Sequence, residues 1–223
     1  HLNGDFNMLK FVQSFLFILF FNFLLSEKLP NDIRWVVKSE EYEMICNQTY
    51  DLAKSRLKEI YLELDDISGK AIIMDLDETV LNNSQYQVEI SRKGETFNMK
   101  SWAKWVNRSE ASLVPGAKEF IDLARDIGIQ LIFISNRMDK RLDATKKNMK
   151  SLNIFSEDDI YLLRLDRKDK KTIRRNEVFK GENRMSNYGS YDVVMYFGDA
   201  MGDFEKKDFY NNFIFPNPMY GKW

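Results

Sequence analysis

The stretch Ala71-Ile72-Ile73-Met74-Asp75-Leu76-Asp77-Glu78-Thr79 decides the fold of this chain, because an apolar run ends directly in two carboxylates. Two further apolar runs end in polar residues. Leu131–Ile134 is followed by Ser135-Asn136-Arg137, and Val193–Phe197 is followed by Gly198-Asp199-Ala200-Met201-Gly202-Asp203. A parallel sheet gathers the carboxyl ends of its strands at one edge, where open α/β proteins bind ligands. We therefore expect these polar residues to converge on one site.

The rest of the chain alternates between helical and strand patterns. Apolar residues recur at helical spacing from Glu40 to Leu64, and Ser68-Gly69 separates that helix from the first strand. Further helices are expected after Pro115-Gly116 as far as Gly128, from a cap at Asp139 to about Leu152, and over Lys171–Phe179. Further strands are expected at Ile129–Ile134, Ile160–Leu165, Asp192–Phe197 and Phe213–Phe215. This alternation predicts an α/β fold with a central, parallel, five-stranded sheet flanked by helices.

Two segments depart from the alternation. Residues 82–107 carry Gly94 and several aromatic residues without a strand pattern. We interpret about 80–112 as a small, mostly helical cap over the site, with a short helix near Met99–Val106 and with the 40–64 helix beside it. Asn31–Ser39 is predicted to be extended or poorly ordered, within a linker over 27–39. The catalytic domain is then expected to span 40–223.

The N-terminal 26 residues are predicted to be a leader. Phe11–Leu25 is an apolar run of Phe, Leu and Ile, too short for a comfortable transmembrane span, and Ser26 lies near a plausible cleavage point. No cysteine lies near the end of the run, so a lipid anchor is not predicted. We expect export to the periplasm, the cell surface or the medium, with membrane contact only through an uncleaved leader.

Composition excludes several functional classes. The 33 basic and 34 acidic residues give no electrostatic case for binding a nucleic-acid polymer. Cys46 is the only cysteine, so neither an intramolecular disulfide nor a cysteine-rich metal site can form. His1 is the only histidine, which excludes a histidine nucleophile and a histidine-based triad. Acid–base chemistry must therefore depend on carboxylates or lysines.

The residues at the strand ends suit phosphoryl transfer. A carboxylate nucleophile divides phosphate-ester hydrolysis into two easier steps through an acyl phosphate, while a second carboxylate handles the proton of the leaving group. Mg²⁺ prefers oxygen ligands, which Asp75 and Asp199 can supply from neighbouring strands. Ser135 and the amides after it can hydrogen-bond phosphate, and a lysine from the basic run Arg164–Arg175 can neutralise the transferred group.

The motifs resemble those of the haloacid dehalogenase (HAD) superfamily of phosphohydrolases, and more narrowly the class C bacterial acid phosphatases. The likeness rests on Asp75-x-Asp77-x-Thr79, Ser135, a downstream lysine and Gly198-Asp199-x-x-x-Asp203. It is supported by Trp102-Ala103-Lys104-Trp105-Val106, Val114-Pro115-Gly116-Ala117 and Pro216-Asn217-Pro218-Met219-Tyr220-Gly221-Lys222-Trp223. Together these segments cover nearly the whole chain after the leader.

The resemblance assigns roles to the matching positions. It implies that Asp75 is the nucleophile and a metal ligand, and that Asp77 is the general acid and then the base, with its backbone carbonyl on the metal. Asp199 is implied as the third ligand of Mg²⁺. Ser135 and Asn136 are implied to bind phosphate.

A Lys-x-x-Lys-x-x-Arg pattern holds the third motif of this family, and Lys168, Lys171 and Arg174 fit it here. We favour Lys171 as the phosphate-binding lysine, with Lys168 as the alternative. Asp203 is implied to orient the lysine or a metal-bound water.

The resemblance implies hydrolysis of small phosphomonoesters under acidic conditions. The family can also clamp a nucleoside base between aromatic rings, and Tyr220 matches one side of that clamp. Tyr86 lies just before the usual position of the other side, where this chain continues with Gln87-Val88-Glu89-Ile90. Tyr220 and Tyr86 are therefore the candidate substrate contacts, and nucleoside 5′-monophosphates are candidate substrates.

Two other functions stay open at this point. One is another phosphoryl transfer of the HAD superfamily, which the acid at Asp77 also suits. The other is a non-catalytic surface or storage protein with the same fold, whose expected mark would be loss of Asp75. The sequence does not decide whether the protein forms a homodimer.

Overall fold

The structure is a computed structural model that describes residues 29–221 of the chain. The predicted leader and the last two residues lie outside this range. Strands are numbered along the chain, and the central sheet contains β1 (Lys70–Met74), β4 (Gln130–Met138), β5 (Ile160–Arg164), β6 (Asp192–Gly198) and β7 (Asn212–Ile214). These strands are all parallel and lie in the order β5-β4-β1-β6-β7. The predicted five-stranded parallel sheet is thereby confirmed.

The central strand β1 is apolar along its length because helices cover both faces of the sheet. Ile72 and Met74 pack in one hydrophobic cluster, while Ala71 and Ile73 pack in a second cluster on the opposite face. Alternate side chains of a strand lie on opposite faces, so a strand buried on both sides is a continuous apolar run instead of an alternating one. The sequence pattern of β1 follows from this central position.

Seven helices connect or flank the strands in residues 29–221. They are α1 (Asn31–Lys38), α2 (Glu40–Glu63), α3 (Ser84–Arg92), α4 (Met99–Arg108), α5 (Ala117–Ile127), α6 (Leu142–Ser151) and α7 (Lys171–Lys180). The helices expected over 40–64, 116–128 and 171–179 are confirmed within about three residues at each end, the usual uncertainty of helix boundaries. Within the described range, no helix has the length and apolar character that crossing a membrane requires.

The prediction of an extended segment at Asn31–Ser39 was wrong, because α1 occupies almost all of it. Ile33 and Val36 are buried at helical spacing, and α1 packs against α3. Ser39 then serves as the N-cap of the next helix, accepting a hydrogen bond from the Tyr42 amide at 3.1 Å. Tertiary packing therefore determines a helix that eight residues could not sustain alone.

The segment over residues 80–112 contains two helices, α3 and α4, where the sequence predicted one. Its ends are joined by a short antiparallel ribbon of β2 (Leu81–Asn82) and β3 (Ser112–Leu113). Asp139 does not cap α6: residues 139–141 form a 3₁₀ turn, and the helix begins after Arg141 without a side-chain cap.

Helix α2, which the sequence associated with the cap, contacts α5 and β7. Its Tyr50 is completely buried, with its ring 4.6 Å from that of Phe215 and 5.9 Å from that of Phe197. The Tyr50 hydroxyl donates to the Thr79 carbonyl at 2.7 Å. Removing that hydroxyl would deprive a buried carbonyl of this donor, at a cost of about 1–3 kcal/mol. The core thereby holds the loop that follows β1.

Candidate active site

The loop after β1 turns back on itself directly beyond Asp75. The Leu76 carbonyl accepts hydrogen bonds from the amides of Val80 at 2.9 Å and Leu81 at 2.7 Å. Glu78 has φ 59°, a left-handed conformation that is uncommon outside glycine and reverses the chain here. This tight reversal keeps both Asp75 and Asp77 at the carboxyl edge of the sheet.

Asp75 is buried and paired with a lysine from a distant element. Lys171, the first residue of α7, donates to Asp75 Oδ1 and, at 2.5 Å, to Asp203 Oδ1. The side chains of all three residues are less than a tenth exposed. One ammonium group, at the start of α7, therefore contacts carboxylates that follow β1 and β6.

Gly198, the last residue of β6, makes room for Asp203. A Cβ at position 198 would lie 2.7 Å from Asp203 Cγ and still closer to other atoms of that side chain. Asp203 is held there by the 3₁₀ turn Met201–Asp203, and its Oδ2 accepts a hydrogen bond from the Ala200 amide at 3.0 Å. Glycine is therefore needed at this strand end so that a carboxylate can pack against the backbone.

Asp75, Asp199 and Asp203 form a cluster that fits a divalent cation. One carboxylate oxygen from each lies within 4.8 Å of the others. Asn217 donates to Asp199 Oδ2 at 2.7 Å, which orients that carboxylate. Three carboxylates face one ammonium group, so negative charge is in excess, and the donors are the hard oxygens that Mg²⁺ prefers. The resemblance to the HAD superfamily implies a divalent metal, and the oxygen donors of this cluster suit such an ion.

Burial governs the ionisation of this cluster. Burial raises the pKa of the Asp75 carboxyl well above its usual range, and the Lys171 charge opposes that shift. Burial raises the pKa of Asp199 to about 6, with the Asn217 hydrogen bond opposing and the Asp203 charge adding. Burial lowers the pKa of Lys171, but the Asp75 and Asp203 charges raise it by more, so the ammonium stays protonated.

Asp77 lies in a separate set of contacts. Arg137 donates to Asp77 Oδ1 from Nε at 2.9 Å and approaches it with Nη2 at 2.7 Å. Asn83 Nδ2 donates to the same oxygen at 2.9 Å, while the Ser135 hydroxyl is 3.4 Å from Oδ2. The Asp77 side chain therefore stands apart from the three-carboxylate cluster and faces the hydroxyl after β4.

Ser135 and Asn136 are held in place by Arg174. This fully buried arginine donates to the Ser135 carbonyl from Nη1 and to Asn136 Oδ1 from Nη2 at 2.9 Å. The Ser135 hydroxyl also accepts from the Arg137 amide at 3.1 Å. The loop after β4 is thus fixed from α7, the helix that also supplies Lys171.

The other predicted site residues are not part of this constellation of contacts. Lys168 is exposed in the turn before α7, with its amide bonded to Asp166. Tyr86 is only 2% exposed, and its ring packs edge-on against Trp102 at 5.1 Å. Tyr220 is 37% exposed, so its ring is accessible to a ligand.

Three residues of this site had no assigned role in the sequence analysis, although two of them stand inside quoted motifs. Arg137 follows Ser135 and Asn136, and Arg174 ends the Lys-x-x-Lys-x-x-Arg pattern. Asn83 lies six residues after Asp77. The sequence does show an arginine inside each of two polar motifs, which could have suggested a role for Arg137 and Arg174. It does not show that these arginines are buried, which is the observation that assigns them to the site.

A family model and several known proteins match this chain. The model described as HAD superfamily, subfamily IIIB (Acid phosphatase) matches residues 24–223. A crystal structure of the class C acid phosphatase from Bacillus anthracis, with tungstate bound, is 30% identical, with a TM-score of 0.72 over 85% of this chain and 84% of that one.

Two curated plant proteins are also similar. The stem 31 kDa glycoprotein of Glycine max is 26% identical over 66% of this chain, and acid phosphatase 1 of Solanum lycopersicum is 24% identical over 80% of this chain. The chain spans 58% of the length of the first protein and 69% of the second. The family and its structural neighbour support phosphomonoesterase activity, as expected from the motifs.

Proposed function

The chain belongs to subfamily IIIB of the HAD superfamily, the acid phosphatases, and we propose that it hydrolyses phosphomonoesters through an aspartyl phosphate on Asp75. The observation that carries this proposal is the contact of Lys171 with both Asp75 and Asp203, beside Asp199. A buried nucleophile, a fixed cation and a set of hard oxygen ligands meet there at one sheet edge. This is the arrangement that phosphoryl transfer through a carboxylate requires.

In the first step, a carboxylate oxygen of Asp75 attacks phosphorus as the ester P–O bond breaks. The proton on Asp77 passes to the leaving oxygen, so the alcohol departs neutral. Lys171, the Ser135 hydroxyl and the loop at Asn136 donate hydrogen bonds to the phosphoryl oxygens. Electrostatic stabilisation of this kind is usually the largest contribution to catalysis.

In the second step, water attacks the phosphorus of the aspartyl phosphate. Asp77, now a carboxylate, takes a proton from that water, and the bond between phosphorus and Asp75 breaks. Inorganic phosphate leaves, the Asp75 carboxylate is restored, and Asp77 is again protonated. One acid–base residue therefore serves both steps with no net change in the protein.

We propose Mg²⁺ as the divalent cation, held by Asp75, Asp199 and the backbone carbonyl of Asp77. When bound, it would neutralise the phosphate and the excess carboxylate charge. Tungstate in the Bacillus anthracis structure supports an oxyanion site in that relative. Asp203, which contacts Lys171, would orient the lysine beside the cation.

Hydrolysis of p-nitrophenyl phosphate at about pH 5 tests this function. We expect Mg²⁺ to support turnover, EDTA to abolish it, and added Mg²⁺ to restore it. Asp75→Asn should lower kcat by more than about 1,000-fold, since the covalent route is lost. Turnover that withstands both EDTA and Asp75→Asn would contradict the mechanism. A folded protein inactive toward every ester would favour a binding or storage role.

Nucleoside 5′-monophosphates are the proposed substrate class. The support is the accessible ring of Tyr220 together with the class C resemblance, since a base can stack on an aromatic face. Tyr220→Ala should raise KM for a nucleotide about 5–150-fold, which corresponds to about 1–3 kcal/mol per stacked base, and leave KM for glycerol phosphate unchanged. Equal changes for both substrates would contradict stacking on this ring.

Export and domain organisation complete the proposal. The apolar run in the first 26 residues supports a secretory leader, and residues 40–223 are proposed as the catalytic domain with a cap at about 80–112. N-terminal sequencing of the protein from its native source tests the leader. A mature N-terminus shortly after Ser26 is expected, and an intact leader on all of the protein would contradict cleavage.

A further inference from the structure

Arg137 is a buried arginine whose acidic partner is the proposed general acid. Its side chain is 1% exposed, among the most buried of the large side chains. Within residues 29–221, Asp77 is the carboxylate that pairs with it. A buried guanidinium is costly unless it is paired and hydrogen-bonded, so the position of Arg137 depends on Asp77 and the position of Asp77 depends on Arg137.

All of the strong contacts to Asp77 fall on one of its two oxygens. Oδ1 receives Arg137 Nε at 2.9 Å, Arg137 Nη2 at 2.7 Å and Asn83 Nδ2 at 2.9 Å. Oδ2 has only the Ser135 hydroxyl, at 3.4 Å. Because Oδ1 is already surrounded by donors, it has no room to donate a proton. Oδ2 is the oxygen left facing the phosphate-binding side of the site.

The groups that hold Oδ1 are themselves fixed by other elements. Asn83 Oδ1 accepts from Trp105 Nε1 at 2.8 Å and from Arg137 Nη2 at 3.2 Å, so its amide nitrogen must face Asp77. Arg137 Nη1 donates to the Thr145 hydroxyl at 3.2 Å. Helices α4 and α6 therefore brace a network that centres on the loop after β1.

We propose that Arg137 is a positioning residue which, with Asn83, anchors Asp77 Oδ1 and leaves Oδ2 as the oxygen that exchanges the proton with the substrate. The inference rests on the proposed function, because it assigns an orientation to the general acid of that reaction. The proton leaves Oδ2 for the ester oxygen as the P–O bond breaks. The carboxylate that results remains paired with Arg137.

This role predicts a dependence on the leaving group. A positioned general acid contributes about 10²–10⁴-fold, and it matters most when the leaving alkoxide is a strong base. p-Nitrophenolate leaves without much help, whereas the alkoxide of an alkyl phosphate needs a proton in the transition state. Loss of orientation at Asp77 should therefore penalise alkyl phosphates selectively.

The test compares kcat/KM for an alkyl phosphate and for p-nitrophenyl phosphate, since kcat/KM reports the step in which the leaving group departs. Arg137→Gln should lower the alkyl value by about 30–300-fold and the p-nitrophenyl value by less than about 5-fold. Asn83→Ala, which removes no charge, should give the same selectivity with a smaller loss. Asn83→Ala also serves as the test if Arg137→Gln fails to fold.

A double-mutant cycle separates positioning through Asp77 from general structural damage. In an Asp77→Asn background, adding Arg137→Gln should change the alkyl kcat/KM by less than about 3-fold, because the acid is already gone. Arg125→Gln is the matched control. It breaks a partly buried pair with Asp159 of 2.7 Å, and it should affect both esters equally.

Two results would overturn the inference while leaving the proposed function intact. One is an equal loss on both esters in Arg137→Gln and Asn83→Ala, with Asp77→Asn still selective for the alkyl ester. The other is a full multiplicative loss from Arg137→Gln in the Asp77→Asn background. If Asp77→Asn itself lacked selectivity, or Asp75→Asn kept its turnover, the proposed function would fail first.

Discussion

Asp75 and Asp77 are two residues apart in one loop, yet their surroundings are opposite in charge balance. Around Asp75, Lys171 pairs with Asp75 and Asp203, and Asp199 lies beside them, so negative charge is in excess when all three carboxylates are ionised. Around Asp77, the guanidinium of Arg137 pairs with the carboxylate, and the Asn83 side chain donates to Asp77 and also to the buried Glu78 carboxylate. Only the fully buried Leu76 stands between the two aspartates in the chain.

The difference indicates how one short motif can support two chemical roles. Near Asp75 the protein supplies fewer positive than negative charges, so a bound cation would stabilise this side of the site more than the Asp77 side. The Asp77 side is satisfied by protein groups, so its geometry does not depend on a ligand. Under the proposed function, the nucleophile then lies where a cation and a phosphate would bind, and the acid–base group lies where its orientation is fixed.

The larger of the two effects expected from this comparison tests whether Lys171, and not Lys168, is the cation of the acidic side. Lys171→Met should lower kcat/KM for p-nitrophenyl phosphate by about 100–1,000-fold, because it removes the cation facing the phosphoryl group. Lys168→Met should change it by less than about 2-fold, since that side chain is exposed and outside the cluster. Steady-state kinetics of both variants provide the measurement.

The two lysines are a matched pair, three residues apart in the same motif. A loss confined to Lys171→Met would sharpen the contrast between the two sides of the site. A comparable loss in Lys168→Met would mean that the basic run acts through its overall charge. The folded state of each variant is checked by its thermal unfolding.

A smaller effect concerns stability, pH and divalent cations. Burial raises the pKa of Asp199 to about 6 in the folded protein. In the unfolded chain the same carboxyl ionises at about pH 4, so between these two pH values the folded state binds the proton more tightly. For such a group, stability is fully present below the unfolded pKa and is lost as pH rises through the folded pKa. Without divalent cations, Tm should therefore fall by a few degrees from about pH 4 to about pH 7 through this cluster.

Mg²⁺ should reverse that fall, because it binds the ionised carboxylates. The increase in Tm on adding Mg²⁺ should be larger at about pH 7 than at about pH 4, where protons compete. Asp199→Asn should remove most of the Mg²⁺ effect, whereas Asp122→Asn, which alters an exposed pair with Lys118, should not. A Mg²⁺ effect that is independent of pH and of Asp199 would place the cation elsewhere.

The fold was largely predictable because its strongest signals are local. Continuous apolar runs ending in polar residues marked β1, β4 and β6, and Gly128 marked the end of α5 with φ 87°. The helix α1 was not predictable, since only Ile33 and Val36 are buried in its eight residues. Helix α3 was not predicted either; it packs against α1, and such a contact between elements is not visible in sequence spacing.

Motif spacing predicted which carboxylates meet at the site, but not which basic residues contact them. Spacing at strand ends brought Asp75, Asp199 and Asp203 together, but it left Lys168 and Lys171 as alternatives. The choice depends on where α7 begins, which is at Lys171. The role of Arg137 could not be predicted from sequence. Only its burial and its pairing with Asp77 show that it is not a surface charge and that it holds another side chain in place.

Trapping the phosphorylated residue tests the central claim most directly. Asp77→Asn should slow the hydrolysis of the acyl phosphate, so the protein mixed with substrate and Mg²⁺ can be quenched in acid and reduced with borohydride. Reduction of an aspartyl phosphate gives homoserine, which peptide mass spectrometry can locate. The account predicts homoserine at position 75 and unchanged aspartate at 199 and 203. Homoserine at another aspartate, with Asp75 unmodified, would contradict it.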